Sequence, residues 1–367
     1  MQTSAATLDA ARPARRALPI IRVAVEARPT SMLAAEPTSH TLFETAEWLD
    51  AVAPRAWAAA TIEDNGRVLA RLPYVMKSRA GLRILTVPPL TPWLGPWIAP
   101  KKGKYPTCLS REHELLHQLI GQLPRVDAAV IPAAPEQGNL LPFYWHGFDL
   151  TLGYTYRIAL DTPLEAIWQD AEGKMRNRVR RAAEKLVVSV SEDIDEVGRL
   201  IVGTYRRQGL APPSILATIA RILDSPALKA HRELLIARDE AGRSHAFALL
   251  AFDPRHTIYS AGGADPFLRA SGAQTLLLWR AIERSHGRSA VFDFEGSMKE
   301  EIERSFRYFG AVQTPQLTAV AARTLLGRGY RLLARMRASK RGDTAAPRTS
   351  MLDVTSTDRG CGPQRRA

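Results

Sequence analysis

Between residues 20 and 322, short apolar runs alternate with helical segments, and one order of elements occurs twice. IIRVAVEA (20–27) reads as a strand and TAEWLDAVAP (45–54) as a short helix stopped by Pro54. WAAATIED and RVLARLPYVMK flank Asn65-Gly66, a dipeptide suited to a tight hairpin turn. LRILTVPPL, a Pro/Trp loop with Gly95, the helical run REHELLHQLIGQL (111–123), the strand DAAVIPA and a strand pair in FDLTLGYTYRIAL (148–160) complete the first unit. The second unit has more helix. LEAIWQDAEGKMRNRVRRAAEKL holds two, and EVGRLIVGTYRRQG and ILATIARILDS one each; three strands across 231–264 follow. AQTLLLWRAIERSHG (helix), VFDFEG (strand), EEIERSFRYFG (helix) and TPQLTAV (strand) close it. This alternation predicts an α/β fold of two related domains, each a mixed sheet flanked by helices.

The predicted division is a first domain over 19–155, a second over 156–322 and a basic amphipathic helix over 323–338. Residues 1–18 and 339–367 lack apolar periodicity and predict disordered tails. No run approaches the roughly eighteen apolar residues of a membrane span. Cys108 and Cys361 lie too far apart for a disulfide framework or a zinc cluster, which points to a reducing cytoplasm. The net charge of +13, from 50 basic and 37 acidic residues, suits anionic partners such as nucleic acid, phosphorylated ligands or an acidic membrane face.

Five motifs carry chemistry. HELLH (113–117) fits the zincin pattern, with Glu136 at a workable distance for a third ligand. However, Leu115, Leu116 and Leu119 claim the core face of that helix, and so short a motif recurs by accident; no metal is expected. In the basic helix KMRNRVRRAAEK (174–185), Lys174, Arg178, Arg181 and Lys185 share a face able to hold phosphates. RASGAQ (269–274) places Gly272 just before a helix, where free N–H groups and the helix dipole meet an anion; ordinary turn chemistry gives the same pattern. The helix 323–341 sets Leu325, Leu326, Tyr330, Leu333 and Met336 on an apolar stripe and Arg328, Arg331 and Arg335 on another face. That pattern suits either an anionic membrane surface or packing on its own domain. Finally, alternation along VFDFEG puts Asp293 and Glu295 on one face and Phe292 and Phe294 on the other. These carboxylates are either proton acceptors in a pocket or members of ion pairs. Ser297, with Glu300 three residues on, has the spacing of a helix cap.

FETAEWLDAV (43–52), TYRIAL with MRNRVRRAAEK (155–185), GGADPFLRASGAQTLLLWRAI (262–282) and FDFEGSMKEEIERSFRYFGA (292–311) together resemble the GNAT-type acyltransferases. More narrowly they resemble the FemAB-like (BioF2-like) acetyltransferase branch, which carries two tandem GNAT-like domains. The resemblance implies transfer of an acyl or aminoacyl group to an amine, from acyl-CoA or from aminoacyl-tRNA. It implies that Arg269, Ser271, Gly272, Ala273 and Gln274 hold the CoA pyrophosphate, although Gln274 stands where the family has Gly or Ala. Asp293 or Glu295 would take the amine proton. Tyr259 would protonate the leaving group unless it is simply a buried strand tyrosine. The absence of a Lys after Trp48 and of room for a long helical hairpin favours acyl-CoA, acetyl-CoA foremost, over tRNA. The acceptor implied is an amino sugar of a nucleotide- or lipid-linked surface-polysaccharide precursor, bound by Arg176, Arg178, Arg181 and Trp48. The expected station is the cytoplasm, with peripheral contact at the inner membrane face. Aminoacyl-tRNA-dependent transfer to a peptidoglycan precursor, and non-catalytic binding of an anion through 174–185, stand as the alternatives.

Overall fold

The computed structural model describes residues 39–79, 81–207, 215–296, 298 and 300–340, so the strand expected at 20–27 and the cap expected at Ser297 lie outside the described residues. The first half runs α1 (Ala46–Val52), β1 (Trp57–Asp64), β2 (Arg67–Arg79), β3 (Leu82–Thr86), β4 (Trp97–Ile98), α2 (Tyr105–Gln122), β5 (Ala128–Pro132), α3 (Leu141–Trp145) and β6 (Asp149–Ala159). The second half continues with α4 (Leu164–Asp170), α5 (Gly173–Ala183), β7 (Val187–Val190), α6 (Ile194–Arg207), α7 (Ile215–Asp224), β8 (Arg232–Arg238), β9 (Ser244–Phe252) and β10 (His256–Ala264). It closes with α8 (Ala273–Ser285), β11 (Val291–Asp293), α9 (Glu300–Arg307), β12 (Val312–Ala322) and α10 (Leu325–Lys340).

Local chemistry accounts for several boundaries. Asn65 and Gly66 both adopt positive φ, 51° and 77°, which is what a two-residue hairpin between twisted strands demands. Thr45 caps α1, its hydroxyl accepting the Trp48 N–H at 3.4 Å. The segment 148–160, expected as two strands, is one strand entered from the short helix α3, whose aromatic LPFYW run hid its helical character.

The halves are built alike. Each has antiparallel strands, a strand–helix–strand crossover with parallel pairing (β3 with β5 through α2, β10 with β11 through α8), then a helix and a final strand. The final strands are exchanged. The single twelve-stranded sheet runs β1-β2-β3-β5-β12-β6-β11-β10-β9-β8-β7, with β4 on β2. So β12, which ends the second half, pairs with β5 of the first, and β6, which ends the first, pairs with β11 of the second. β6 and β12 pair with each other from Val312–Arg157 to Val320–Asp149. The boundary expected at 155/156 therefore falls inside β6, and the sheet crosses it without a break. Three buried clusters cover the sheet. One face of the second half packs on α5, α8 and α9 (Leu276, Leu277, Phe292, Phe294, Phe306), and the other on α1, α6 and α7 (Trp48, Ile219, Ile258, Trp93). The third lies under α2 and α3.

Candidate active site

The parallel pairing of β10 with β11 lasts only from His256–Val291 to Ile258–Asp293. Beyond it β10 runs on to Ala264, while the chain after Asp293 stays with β6, the Phe294 N–H donating to the Tyr156 carbonyl at 3.0 Å. A wedge thus opens at the carboxyl ends of two parallel strands, facing the start of the helix that connects them. Ligands of open α/β sheets bind in such places.

A β-bulge shapes one wall. β10 gains a residue against β9 between Tyr259 and Ala261, so its alternation flips. Ile258 and Ala261 face one core, while Tyr259 and Ala264 face the other. Tyr259 then lies across Gly262, where a Cβ would sit 1.7 Å from its hydroxyl; only glycine admits the ring. The Tyr259 oxygen accepts from Gln274 Nε2 at 2.8 Å, leaving its own proton for another acceptor. Burial and the negative charge of Glu295 push the Tyr259 pKa up, so the phenol stays protonated.

Gly272 precedes α8 in the left-handed region (φ 79°); its N–H donates to the Arg269 carbonyl at 3.5 Å and the Ala273 N–H to Ser271 Oγ at 3.3 Å, so the loop 269–272 folds against the positive start of α8. A Cβ at Gly272 would lie 3.3 Å from Arg178 Cγ and 3.3 Å from Ala182 Cβ, which sets Arg178 of α5 directly beside this helix start. The basic helix and the small-residue loop, separate motifs in the sequence, are thus one anion-directed corner. Arg181 and Lys185 are exposed on the same helix. Gln274 reaches Tyr259 instead of lying over the loop, so the departure from the family pattern leaves the corner open. A CoA diphosphate fits it.

Arg176 has a different role. Its Nη1 donates to the carbonyls of Trp168, Gln169 and Ala171 at 3.2, 2.6 and 3.1 Å, closing the end of α4. Trp48 is wholly buried with its indole N–H on Thr91 Oγ1 at 3.0 Å, so it has no surface for a ligand. Both expectations of acceptor contact are corrected by these packing roles.

Asp293 and Glu295 also part company. Strand alternation holds, and Phe292 and Phe294 pack with Phe306 and Phe309. Asp293, in register with Ile258, therefore faces away from Tyr259. It is fully buried, and its Oδ2 accepts Arg157 Nε at 2.5 Å. Its Oδ1 accepts the Thr155 hydroxyl and the Glu295 N–H, the latter at 2.8 Å. Three of its roughly four acceptor sites are filled by donors, and its complete burial leaves no approach for an amine. Ion pairing is thus the outcome at Asp293. Its bond to Glu295 closes an Asx turn that holds Glu295 at φ 63° and is followed by Gly296 at φ 69°. A Cβ at Gly296 would come 2.2 Å from the Tyr154 carbonyl, so the turn lies flat on β6. Asp293 thus fixes the turn, and the charge of Glu295 acts on Tyr259.

The residues absent from the sequence expectations are those behind Asp293. Arg157 Nη1 reaches Glu136 Oε1 at 2.6 Å, and the same oxygen accepts His256 Nε2 at 2.9 Å. Burial raises the Glu136 pKa, but the bond and charge of His256 and the charge of Arg157 outweigh it and hold the carboxyl well below its usual range. Glu136 is thus drawn to this chain of charges and not to the α2 histidines. His113 and His117 instead flank Trp145, and His117 Nδ1 lies 2.8 Å from His146 Nε2. A charge in the otherwise apolar strand TYRIAL was the available signal for Arg157, since a buried guanidinium requires carboxylate partners.

Residues 172–300 match the family model described as an acetyltransferase (GNAT) domain. No curated protein sequence matches the chain. Among solved structures, FemX is similar over 80% of this chain and 94% of its own, at 13% identity and a TM-score of 0.59. A C-terminal domain assigned to a lysylphosphatidylglycerol synthetase from Agrobacterium fabrum is similar over 81% and 92%, at 13% identity and 0.51. Residues 172–300 of the second half are therefore similar to GNAT acetyltransferase domains. Over most of the chain the fold, two alike halves sharing one sheet, is similar to that of FemX.

Proposed function

We propose that the wedge between β10 and β11 takes an acyl-CoA thioester, acetyl-CoA foremost, and passes the acyl group to the amine of an amino sugar on a diphosphate-bearing polysaccharide precursor. The observation that supports this reading is the convergence, at one end of β10, of the start of α8, Arg178 beside Gly272, and the Tyr259–Gln274 bond, with the charge of Glu295 acting on Tyr259. Arg178, Arg269 and the start of α8 after Gly272 hold the donor diphosphate, whose oxygens replace Ser271 Oγ as acceptor of the Ala273 N–H. Arg181 and Lys185 meet the acceptor diphosphate. Residues 156–322 are the catalytic half in this reading, and the described strands of the first half, from Trp57 on, complete the sheet behind it.

Glu295 takes one proton from the acceptor ammonium, and the freed amine attacks the thioester carbonyl. The C–N bond forms as the C–S bond breaks. Tyr259 gives its proton to the departing thiolate and recovers one from Glu295. The amide keeps one of the three ammonium protons, the thiol receives one, and one reaches solvent.

The test is calorimetric titration of the full chain with acetyl-CoA and, separately, with bulk tRNA, each at two salt concentrations. Saturable, salt-tolerant binding of acetyl-CoA supports the reading. Salt-tolerant binding of tRNA alone replaces it with aminoacyl transfer, because nonspecific tRNA binding falls steeply with salt. Salt-tolerant binding of neither leaves an anion binder.

A further inference from the structure

A second surface, remote from the wedge, lies where β5 begins, β12 ends and β6 begins. α3 leads into β6 there, and α10 leaves β12. The loop and strand that follow α3 meet α10 and the residue before it through named contacts. Arg323 lies 5.2 Å over the Phe148 ring, and Arg331 Nη1 bonds Asp149 Oδ2 at 2.9 Å. Burial, His117 and the charge of Arg323 together hold the His146 pKa below its ordinary value, which brings Arg323 to the end of α3. The start of α10 is also pinned to the body of the protein. The Arg323 N–H donates to the Asp127 carbonyl at 2.8 Å, Thr324 Oγ1 to the Asp127 carboxylate at 2.8 Å, and a Cβ at Gly327 would sit 2.1 Å from that carbonyl. Gly327, which weakens an isolated helix, is what lets this one approach so closely.

What the two helices turn outward is unusual. Tyr144 and Trp145 are 61% and 51% exposed, and Leu325 and Leu326 82% and 71%. Of the seven tryptophans in the chain, Trp145 is the exposed one. Folded proteins seldom leave neighbouring aromatic and leucine side chains in water without a partner. The charges beside them have one sign to spare. Asp149 is paired with Arg331, while among the described residues Arg323 and Arg328 have no carboxylate partner; Asp127, bonded by the neutral Thr324 hydroxyl and Arg83 N–H, keeps its charge but leaves the arginines in excess. From 323 to 341 the sequence holds six Arg and one Lys and no acid. Amphipathic aromatic tips set among arginines match the boundary of an anionic bilayer, where rings lie at the headgroup level and guanidiniums meet phosphates.

We infer that α3 and α10 together form a docking face for an anionic phospholipid bilayer, with Tyr144 and Trp145 as the inserted tip and Arg323 and Arg328 as its electrostatic anchor. This goes beyond an amphipathic C-terminal helix, because half of the face comes from the first half of the chain. It does not depend on which acyl donor the wedge takes.

The experiment uses the full chain with vesicles of phosphatidylcholine alone or with one quarter phosphatidylglycerol. Flotation measures binding, and brominated lipids report contact by quenching tryptophan fluorescence. The expected result is flotation with the anionic vesicles only, with quenching that Trp145→Phe removes. Arg323→Gln with Arg328→Gln should weaken partition roughly thirtyfold, each arginine near a charged membrane being worth about one factor of five. Tyr144→Ser with Trp145→Ser should weaken it roughly tenfold with an unchanged melting curve, since both side chains are exposed. No flotation with anionic vesicles overturns the inference. So does flotation without quenching, which would leave α10 as a charged arm and α3 as a bystander. A vesicle-free dimer that the Tyr144/Trp145 pair disperses would assign the face to a second copy of the chain instead.

Discussion

Replacing Asp293 by Asn tests the separation of positioning from chemistry, because the two residues differ by one acceptor. The wild-type carboxylate meets three donors and nothing else: the Thr155 hydroxyl and the Glu295 N–H on Oδ1, and Arg157 Nε on Oδ2. An amide has a single acceptor oxygen. With that oxygen on the Oδ1 side, Nδ2 confronts the Arg157 Nε–H across what was a 2.5 Å ion pair. With the amide flipped, Thr155 can rotate to accept, but Nδ2 then faces the Glu295 N–H. One buried donor is left without an acceptor in either pose, a loss of about 1–3 kcal/mol. Breaking a buried ion pair costs about 3–5 kcal/mol when the surviving charge is left uncompensated. Arg157 keeps Glu136 at 2.6 Å, so the lower end applies. The expected destabilisation of Asp293→Asn is therefore about 3 kcal/mol, roughly a hundredfold in the folding constant. Urea unfolding followed by tryptophan fluorescence at neutral pH measures it. Glu295→Gln is the counterpart: it should lower the unfolding midpoint far less than Asp293→Asn and lower kcat by about 100-fold or more. A wild-type midpoint for Asp293→Asn, or a Glu295→Gln variant as unstable as Asp293→Asn, would refute the assignment of the two roles.

Other expectations follow from single groups. Burial lifts the Glu44 carboxyl to about 8, against the pull of the His40 and Thr41 N–H groups; burial lowers His256, but the bonds and charges of Asp253 and Glu136 raise it to about 9. Both folded pKa values exceed the ordinary 4.5 and 6.5, so both groups hold protons that the unfolded chain has released. Between pH 6.5 and 8 these two groups lower stability by up to about 2.7 kcal/mol per pH unit, and above 8 His256 alone continues the loss. Urea midpoints at pH 6, 7, 8 and 9 check the slope, and Glu44→Gln should flatten it; an identical slope in that variant sinks the attribution. Gly262→Ala should displace Tyr259, whose hydroxyl lies 1.7 Å from the new Cβ, and lose activity as Tyr259→Phe does while still folding. Arg178→Ala should weaken acyl-CoA binding roughly tenfold or more, whereas Arg176→Ala should lower the melting temperature without changing that affinity.

The element order was legible because periodicity is local. Meander, crossover helix and the strand at 291–293 all follow from apolar spacing and turn residues within a few positions. The exchange of β6 and β12 was not legible in the same way. Nothing within TPQLTAV distinguishes pairing with β11 from pairing with β5, since the choice depends on which neighbour lies open when the strand arrives. The bulge at Tyr259 is also non-local. IYSAGGA alternates acceptably without it, and only the ring's need for Gly262 reveals the inserted residue. Trp48 and Arg176 were misplaced for one reason: residue type and helical face say that a side chain can bind a ligand, but not that a carbonyl or a core has already claimed it.

The carboxylates at the end of β11 show what alternation can and cannot tell. It separates Asp293 from the two phenylalanines correctly, but it also groups Glu295 with Asp293, which holds only while the strand stays straight. The chain turns left-handed at Glu295 and again at Gly296, a conformation costing about 1–3 kcal/mol for a residue with a side chain. A sequence that accepts this cost at a carboxylate, and fixes it with a buried Asp, Arg and Thr, has a reason to aim that carboxylate somewhere alternation would not send it. Beyond burial, the charge it places there raises the Tyr259 pKa. The strand pattern fails at Glu295, and the adjacent Asp293, which obeys the pattern, supports the turn.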